Sequence, residues 1–323
     1  MQLTYNTASF IEAQQYSKFI LENLHTVLLP QQFSRNVSDF GSGTTLNIKT
    51  VGTATLQEVE ENTPLIYNPI ETGSVTLSIT DYVGDAWFVS DILRQDGAQI
   101  EQLLAMRGME ATRALAQNYE TRFLEVCNAA QTAANPNNVN GFAHRFLASG
   151  TNEQMTENDL INMSLAFTKA NVPMAGRIAI VDPVVAATFQ KLTTMTQSVE
   201  FNRSPIFQRI LESGFANEHN FVMNLHGWSI WTSNMLPDVA AGTSIDGTDT
   251  VTNAGKANIF MSILDDNTKP IMSAWRQQPK VESERNKDFQ RDEFITTPRY
   301  GLGAQRRDTL GVIVTDATAT DAA

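Results

Sequence analysis

The sequence predicts an elongated α+β fold in which an α/β domain is inserted between a long helix and a closing pair of strands. Residues 96–131 have the apolar spacing of one helix of about 35 residues. Residues 44–84 hold two alternating strands separated by a long segment, and residues 271–315 have the pattern of a long, charged, two-stranded β element. These segments carry no arrangement of catalytic residues, so they indicate protein assembly rather than chemistry.

Composition and charge weigh against several classes of partner. The 323 residues are 42% hydrophobic and 18% charged, which is typical of a folded protein with a sizeable core. The net charge of −12 disfavours a surface that grips nucleic-acid phosphates or an anionic membrane, because both need clustered Lys and Arg. This charge favours solubility at high concentration, although it is also ordinary for an acidic cytoplasmic protein.

The sequence shows no secretory signal and no membrane-spanning stretch. Its first residues lack a basic start followed by an apolar run. No stretch approaches the roughly 18 consecutive apolar residues of a membrane span. Cys127 is the single cysteine, so no disulfide can form within the chain, which suits a reducing compartment.

Residues 9–29 have the apolar spacing of an amphipathic helix, which Pro30 ends. A helix so close to the first residue is interpreted either as an arm that lies on another surface or as a first core helix. The pattern alone leaves both interpretations open.

Two alternating strands at residues 44–51 and 74–84 are joined by an unusually long segment. The segment between them is acidic at Glu58, Glu60 and Glu61. Long loops inside compact domains are uncommon and tend to be functional. The length is explained by an extended hairpin that packs on a neighbouring copy; the alternative is a disordered surface loop.

The strongest helix signal begins at Asp96-Gly97-Ala98-Gln99, which has the form of a capping box. Apolar residues recur to Val126, and turn residues around Pro136 end the element. At 1.5 Å per residue such a helix is roughly 50 Å long. A long helix beside a long hairpin predicts an elongated scaffold.

Residues 156–270 alternate helix and strand signals, which predicts the inserted α/β domain. The predicted elements are a helix from Thr156 to Lys169, a buried strand at 176–181, a helix that starts at Asp182-Pro183, a helix at 205–215, and strands at 227–232 and 257–264.

No pattern of catalytic, cofactor-binding or metal-ligating residues is present. Gly301 and Gly303 form a G-x-G pair, but Arg306 stands where a nucleotide-binding loop needs its third glycine. The four histidines lack the spacing of zinc ligands, and Cys127 lies on no nucleophile turn. We therefore predict neither an enzyme nor a cofactor, although an α/β enzyme with an unrecognised site stays open.

The closing segment is locally basic, with eight basic residues against six acids between Arg276 and Asp308. In an acidic chain this bias predicts a docking surface for an acidic partner such as the Glu58–Glu61 segment of another copy. The alternative is a solvated strand face of mixed charge. The candidate contact residues are Glu58, Glu60, Glu61, Arg276, Lys280, Arg285, Arg291 and Arg299.

Four short segments resemble those of the major capsid proteins of tailed bacteriophages, which have the Hong Kong-97-type fold. They are Phe88–Leu93 before the long helix, Gly227–Pro237, Lys287-Asp288-Phe289 and Tyr300–Gly303. The order of arm helix, hairpin, long helix, inserted domain and closing strands also resembles that family over nearly the whole chain.

The resemblance implies a division of the chain into five parts. They are an N-terminal arm at 1–35, an extended loop at 40–85, a peripheral domain with the spine helix at 86–135 and 271–315, an axial domain at 145–270 and a flexible tail at 316–323.

The resemblance also implies a structural function and a set of partners. Pentamers and hexamers would form an icosahedral phage head around double-stranded DNA, which an acidic wall would not bind. Assembly would occur in the cytoplasm of a host bacterium, with a separate scaffolding protein, a portal and a cement protein as partners. A nanocompartment shell of the same fold, enclosing a cargo protein, is the alternative.

Some relatives crosslink their subunits through a lysine in the extended loop. Lys49 is the only lysine between residues 40 and 85, and it lies at the base of a predicted strand. We therefore predict a shell without covalent crosslinks.

Overall fold

A computed structural model describes the chain over residues 33–38, 43–52, 56–59, 61–62, 64, 67, 69–70, 72–96, 100–132, 134, 136–191 and 221–316. The predicted helices at 9–29 and 205–215 lie outside these residues, as does the tail beyond Asp316. Residues 97–99 of the predicted capping box also lie outside them.

The described residues form helices and strands in the predicted order. The α-helices are α1 (Asp91–Asp96), α2 (Ile100–Ala129), α3 (Glu157–Lys169) and α4 (Pro183–Lys191). The strands are β1 (Arg35–Asn36), β2 (Thr45–Val51), β3 (Thr72–Ser78), β4 (Asp81–Tyr82), β5 (Asp85–Ser90), β6 (Asn138–Val139), β7 (Phe142–Ala143), β8 (Arg145–Leu147), β9 (Arg177–Val181), β10 (Phe221–Leu225), β11 (Trp228–Thr232), β12 (Asp238–Val239), β13 (Gly255–Ser262), β14 (Ile271–Gln277), β15 (Val281–Asn286), β16 (Arg291–Thr296), β17 (Arg299–Ala304) and β18 (Leu310–Asp316).

A mixed sheet forms the centre of the inserted domain, in the order β10-β11-β9-β13-β18-β8, with β12 paired to β13. Every residue of β9 is buried, as its apolar run predicts. Successive side chains of a strand point to opposite faces, so Ala179 and Val181 pack with Trp228 while Ile178 and Ile180 pack with α2. The sheet is therefore covered on both faces, by α3 and α4 on one and by α2 on the other.

The predicted start of α3 is confirmed. Thr156 is the N-cap, and its side chain accepts from the Asp159 backbone N–H while the Asp159 carboxylate accepts from the Thr156 N–H. At the other end of the helix, the buried Arg177 side chain donates to the backbone carbonyls of Ser164 and Val172. The Arg177 bonds hold the C-terminal half of α3 against β9.

The predicted long helix is also confirmed, as the 30 residues of α2, about 45 Å at 1.5 Å per residue. Helical structure begins before the predicted cap, because the Ser90 side chain accepts from the Leu93 N–H and starts α1. The second half of α2 buries Phe123, Leu124 and Cys127 on the central sheet, whereas none of residues 102–110 is buried.

Strands β14 to β17 form one long antiparallel ribbon, the closing ribbon, which confirms the predicted two-stranded element. Its outgoing half runs through β14 and β15 and its returning half through β16 and β17, with registers from Ile271↔Ala304 to Asn286↔Arg291. Strand β5 pairs with β16 near the tip, and β1 and β4 pair with β14 and β17 near the base.

The boundary predicted at residue 315 needs a correction. Strand β18 does not join the closing ribbon but lies between β13 and β8 in the central sheet. All seven of its residues, including Asp316 from the predicted tail, are buried. The chain therefore returns from the ribbon into the inserted domain before the described residues end.

Strands β2 and β3 pair antiparallel from Thr45↔Ser78 to Val51↔Thr72, which confirms the predicted hairpin. We name β2, β3 and the residues between them the extended hairpin. Its apolar residues near the base, including Leu77, pack against Met272 and Ala274 of the closing ribbon. The hairpin is therefore held at its base by the ribbon.

Candidate subunit-contact surfaces

The distal part of the extended hairpin exposes both acids and large apolar side chains. Glu58 and Glu61 are exposed, and Glu60 lies outside the described residues. Four apolar side chains of the same segment are almost fully accessible: Leu56 at 98%, Val59 at 74%, Tyr67 at 96% and Ile70 at 79%. Exposed apolar groups concentrated on one element mark an interaction site.

Arg285 is already paired within its own chain. Its guanidinium donates to both carboxylate oxygens of Asp91, at 2.6 and 2.9 Å, and to Asp292 at 3.2 Å. These bonds raise the pKa of Arg285 and lower the pKa of Asp91. The bonds join the closing ribbon to the start of α1. Because two carboxylates of its own chain already bind the Arg285 guanidinium, it is a weaker partner for an acid of a neighbouring copy.

Arg291 is also occupied within the chain. Its Nε donates to Glu293 Oε1 at 2.7 Å, which lowers the pKa of Glu293. The guanidinium lies 4.5 Å from the ring centre of Phe88 and 4.8 Å from that of Phe289. Both rings are more than half exposed, so the ribbon tip presents an arginine between two accessible aromatic rings.

The other three predicted basic contacts lie in different settings. Arg276 donates to the Gly43 carbonyl oxygen at 2.6 Å, and Arg299 lies half-buried in β17 opposite Tyr82. Lys280 has a 74% exposed side chain, with Glu282 at 3.7 Å. The five basic residues therefore have different surroundings, and among the three that form ion pairs Lys280 has the most accessible side chain.

An acidic groove of about 610 Å³ covers the outer face of the β15-β16-β5 sheet. Glu282, Glu284 and Glu293 line it beside the apolar side chains of Phe88 and Ile295. Arg291, which was predicted from the sequence, also lines this groove, but sequence reasoning missed the three glutamates. Glu282 and Glu284 are two residues apart, so the sequence alone indicates that they share a strand face. That Glu293 lies opposite Glu284 is known only from the pairing of the two strands.

Aromatic packing holds the closing ribbon against α2. Tyr119 of α2 lies 5.0 Å from Trp275 and 5.3 Å from Tyr300, measured between ring centres. The Tyr300 hydroxyl donates to Asn118 Oδ1 at 2.9 Å. Burial raises the pKa of Tyr300 to about 12, so this hydroxyl keeps its proton to higher pH than a solvent-exposed tyrosine does.

Comparison with known proteins identifies the family of this chain. Residues 72–315, most of the chain, match a family described as phage capsid protein. The chain belongs to the phage capsid protein family. It is a capsid protein of a phage, a structural protein of the virion and not an enzyme.

Solved structures agree with the family assignment. The capsid protein is similar to a structure from Mycobacterium phage Che8, with 17% identity, a TM-score of 0.63 and coverage of 93% of this chain and 96% of that one. It is similar to the capsid of Cyanophage P-SCSP1u, with 15% identity, a TM-score of 0.67 and coverage of 96% of this chain and 94% of that one. It is also similar to the mature capsid of bacteriophage PhiM1, with 12% identity, a TM-score of 0.71 and coverage of 96% of this chain and 93% of that one. Identities this low show a shared fold. No curated protein matches the sequence.

These relatives do not favour the nanocompartment alternative. Within the part of the chain that the structure describes, no helix of the capsid protein is long and apolar enough to cross a membrane. In the same residues, no three His, Cys, Asp or Glu side chains are grouped so that they could hold a metal ion.

A buried polar link that sequence reasoning missed joins the central sheet to α2. Ser233, in the segment that resembles the capsid family, donates to Glu120 Oε1 at 2.6 Å and accepts from the Met235 N–H at 3.1 Å. Ser233 and Glu120 are 4% and 5% exposed. The link fixes the turn after β11 to the long helix of the capsid protein.

Proposed function

We propose that the capsid protein assembles through pentamers and hexamers into a phage head around double-stranded DNA, with the extended hairpin of each copy lying on the closing ribbon of a neighbour. One observation supports this most: the hairpin is buried at its base, yet its distal part exposes four large apolar side chains. A second copy provides a repeated surface that can cover them.

Apolar contacts supply most of the binding free energy in this proposal. An exposed ion pair contributes about 0.5 kcal/mol, whereas burying one large apolar side chain contributes about 1.5–3 kcal/mol. Arg285 and Arg291 already have carboxylate partners in their own chain. The acids Glu58, Glu60 and Glu61 therefore select the orientation of the hairpin on the basic residues, and the apolar side chains hold it there.

Two sets of variants separate these contributions. The triple variant Glu58→Lys, Glu60→Lys, Glu61→Lys should lower the yield of shells while the subunit stays folded. The double variant Leu56→Ser, Tyr67→Ser should lower it further, because it removes buried apolar area from every contact. Shell yield is measured by sedimentation and electron microscopy, and folding by circular dichroism.

A matched control reverses charges elsewhere on the surface. Asp249 and Asp265 are exposed acids in other loops. The control Asp249→Lys, Asp265→Lys is compared with the double variant Glu58→Lys, Glu61→Lys, which changes the net charge by the same amount. The control pair should assemble like the wild type. Normal shell yields from both the triple charge variant and the apolar variant would refute the proposed contact.

The predicted domain roles and remaining partners belong to the same proposal. The arm at 1–35, the loop at 40–85, the peripheral residues 86–135 with the ribbon, and the axial residues 145–270 with β18 would occupy the corresponding places in the shell. A separate scaffolding protein, a portal and a cement protein would act on this lattice. The net charge of −12 supports enclosure of DNA without binding to the wall.

A further inference from the structure

The extended hairpin is buried near its base and exposed beyond it. Leu77 and Ile79 are 0% and 5% exposed, whereas Val51 at the far end of β2 is 75% exposed. A projecting element of this kind reaches a partner only if its direction is fixed where it leaves the subunit. The contacts at the base therefore decide where the distal side chains lie.

Two glycines of β17 allow the hairpin to cross the closing ribbon at very short range. A Cβ atom on Gly301 would lie 2.4 Å from the Ser78 carbonyl oxygen and 2.8 Å from the Ile79 Cα. A Cβ atom on Gly303 would lie 2.9 Å from Leu77 Cδ1. Residues two apart share a strand face, so the two glycines form a side-chain-free track beneath the end of β3.

Polar contacts hold both ends of the hairpin base at this crossing. Arg276, from the ribbon, donates to the Gly43 carbonyl oxygen at 2.6 Å, just before β2. Asp81, just after β3, accepts from Arg122 of α2 at 3.1 Å. Gly43 and Asp81 flank the two hairpin strands, so the ribbon and α2 restrain the strand that leaves and the strand that returns.

We propose that Gly301 and Arg276 form a clamp that sets the direction in which the extended hairpin leaves the subunit, and that this direction determines whether copies assemble. The effect of this direction on assembly rests on the proposed function, whereas the direction itself does not. It also gives the G-x-G pair of the sequence a physical role: close passage of one strand over another.

The two glycines provide a matched pair of substitutions. In Gly301→Ala the new methyl group meets backbone atoms of Ser78 and Ile79, which move only if β3 moves. In Gly303→Ala it meets the end of the Leu77 side chain, which can shift slightly without any movement of the backbone. The same chemical change on the same strand face should therefore displace the hairpin at one position and not at the other.

Distances between spin labels on the unassembled subunit measure the direction of the hairpin. The labels are attached at Val51→Cys on β2 and Ala114→Cys on α2, both exposed positions. The native Cys127 is buried and takes up no label. Gly301→Ala should shift the mean distance and abolish shell formation, Gly303→Ala should leave both as in the wild type, and Arg276→Ala should broaden the distance distribution.

The outcomes separate this proposal from the proposed function. A wild-type distance distribution in Gly301→Ala, or a displaced one with a normal shell yield, would overturn the clamp. If Gly301→Ala does not fold, Arg276→Ala decides, and an unchanged distribution in that variant overturns the proposal. A wild-type subunit that never forms shells overturns the proposed function, while the label distances still decide whether the clamp directs the hairpin.

Discussion

Replacement of Ser233 by alanine should weaken the joint between the central sheet and α2. The Ser233 hydroxyl donates to a buried Glu120 carboxylate at 2.6 Å and accepts from the Met235 N–H at 3.1 Å. Ser233→Ala removes both bonds without adding volume. The Glu120 carboxylate then loses a donor in a place that water does not reach.

The size of the effect follows from the two bonds. A hydrogen bond to a charged group contributes about 1.5–3 kcal/mol, and a neutral one contributes roughly 1 kcal/mol. We therefore expect Ser233→Ala to lower the free energy of unfolding by about 2–4 kcal/mol. A loss of this size is typical of breaking a buried hydrogen-bond network.

Urea unfolding of the unassembled subunit, followed by tryptophan fluorescence, measures this loss. The control is Ser229→Ala in the adjoining strand, because Ser229 donates to Asn224 Oδ1 at an exposed site. The control should change the unfolding free energy by less than about 0.5 kcal/mol. Equal losses in the two variants would show that the Ser233 bonds do not hold the joint.

Three further predictions concern titration, reactivity and covalent state. Burial raises the pKa of Tyr300 to about 12, so the unfolded chain loses the hydroxyl proton at lower pH than the folded chain does. The free energy of unfolding should therefore fall between about pH 10 and 12. Urea unfolding at a series of pH values should show a smaller fall for Tyr300→Phe. Cys127 is fully buried and burial raises the pKa of its thiol, so Ellman's reagent should react with it at the rate of unfolding; rapid reaction of the native subunit would contradict its placement. Lys49 lies within β2 rather than in the segment between the strands, and boiling purified shells in SDS should release single subunits; a ladder of covalent oligomers would contradict the prediction of a non-covalent shell.

Local patterns predicted those parts of the fold that neighbouring residues determine. The alternation at 44–51 and 74–84 predicted the hairpin strands, and the capping box at Thr156 predicted the start of α3. The apolar run at 176–181 predicted a strand buried on both faces. In each case the deciding interactions join residues that are close in sequence or follow from the burial pattern along a single strand.

Pairings between distant segments could not be predicted in the same way. Arg285 looked available for a neighbouring copy because its partner, Asp91, is 194 residues away. The apolar residues of β18 predicted a buried strand, but they did not indicate the sheet to which it belongs. Gly301 and Gly303 resembled part of a nucleotide loop, and only the path of β3 over them shows that a side chain on Gly301 would meet the backbone of Ser78.

Electron microscopy of the purified wild-type protein shows where the extended hairpin of each subunit lies. We expect closed icosahedral shells in which the hairpin lies on the closing ribbon of a neighbour, with Leu56 and Tyr67 covered. A protein that stays monomeric under all assembly conditions, or shells in which the distal hairpin contacts no neighbouring subunit, would contradict this expectation.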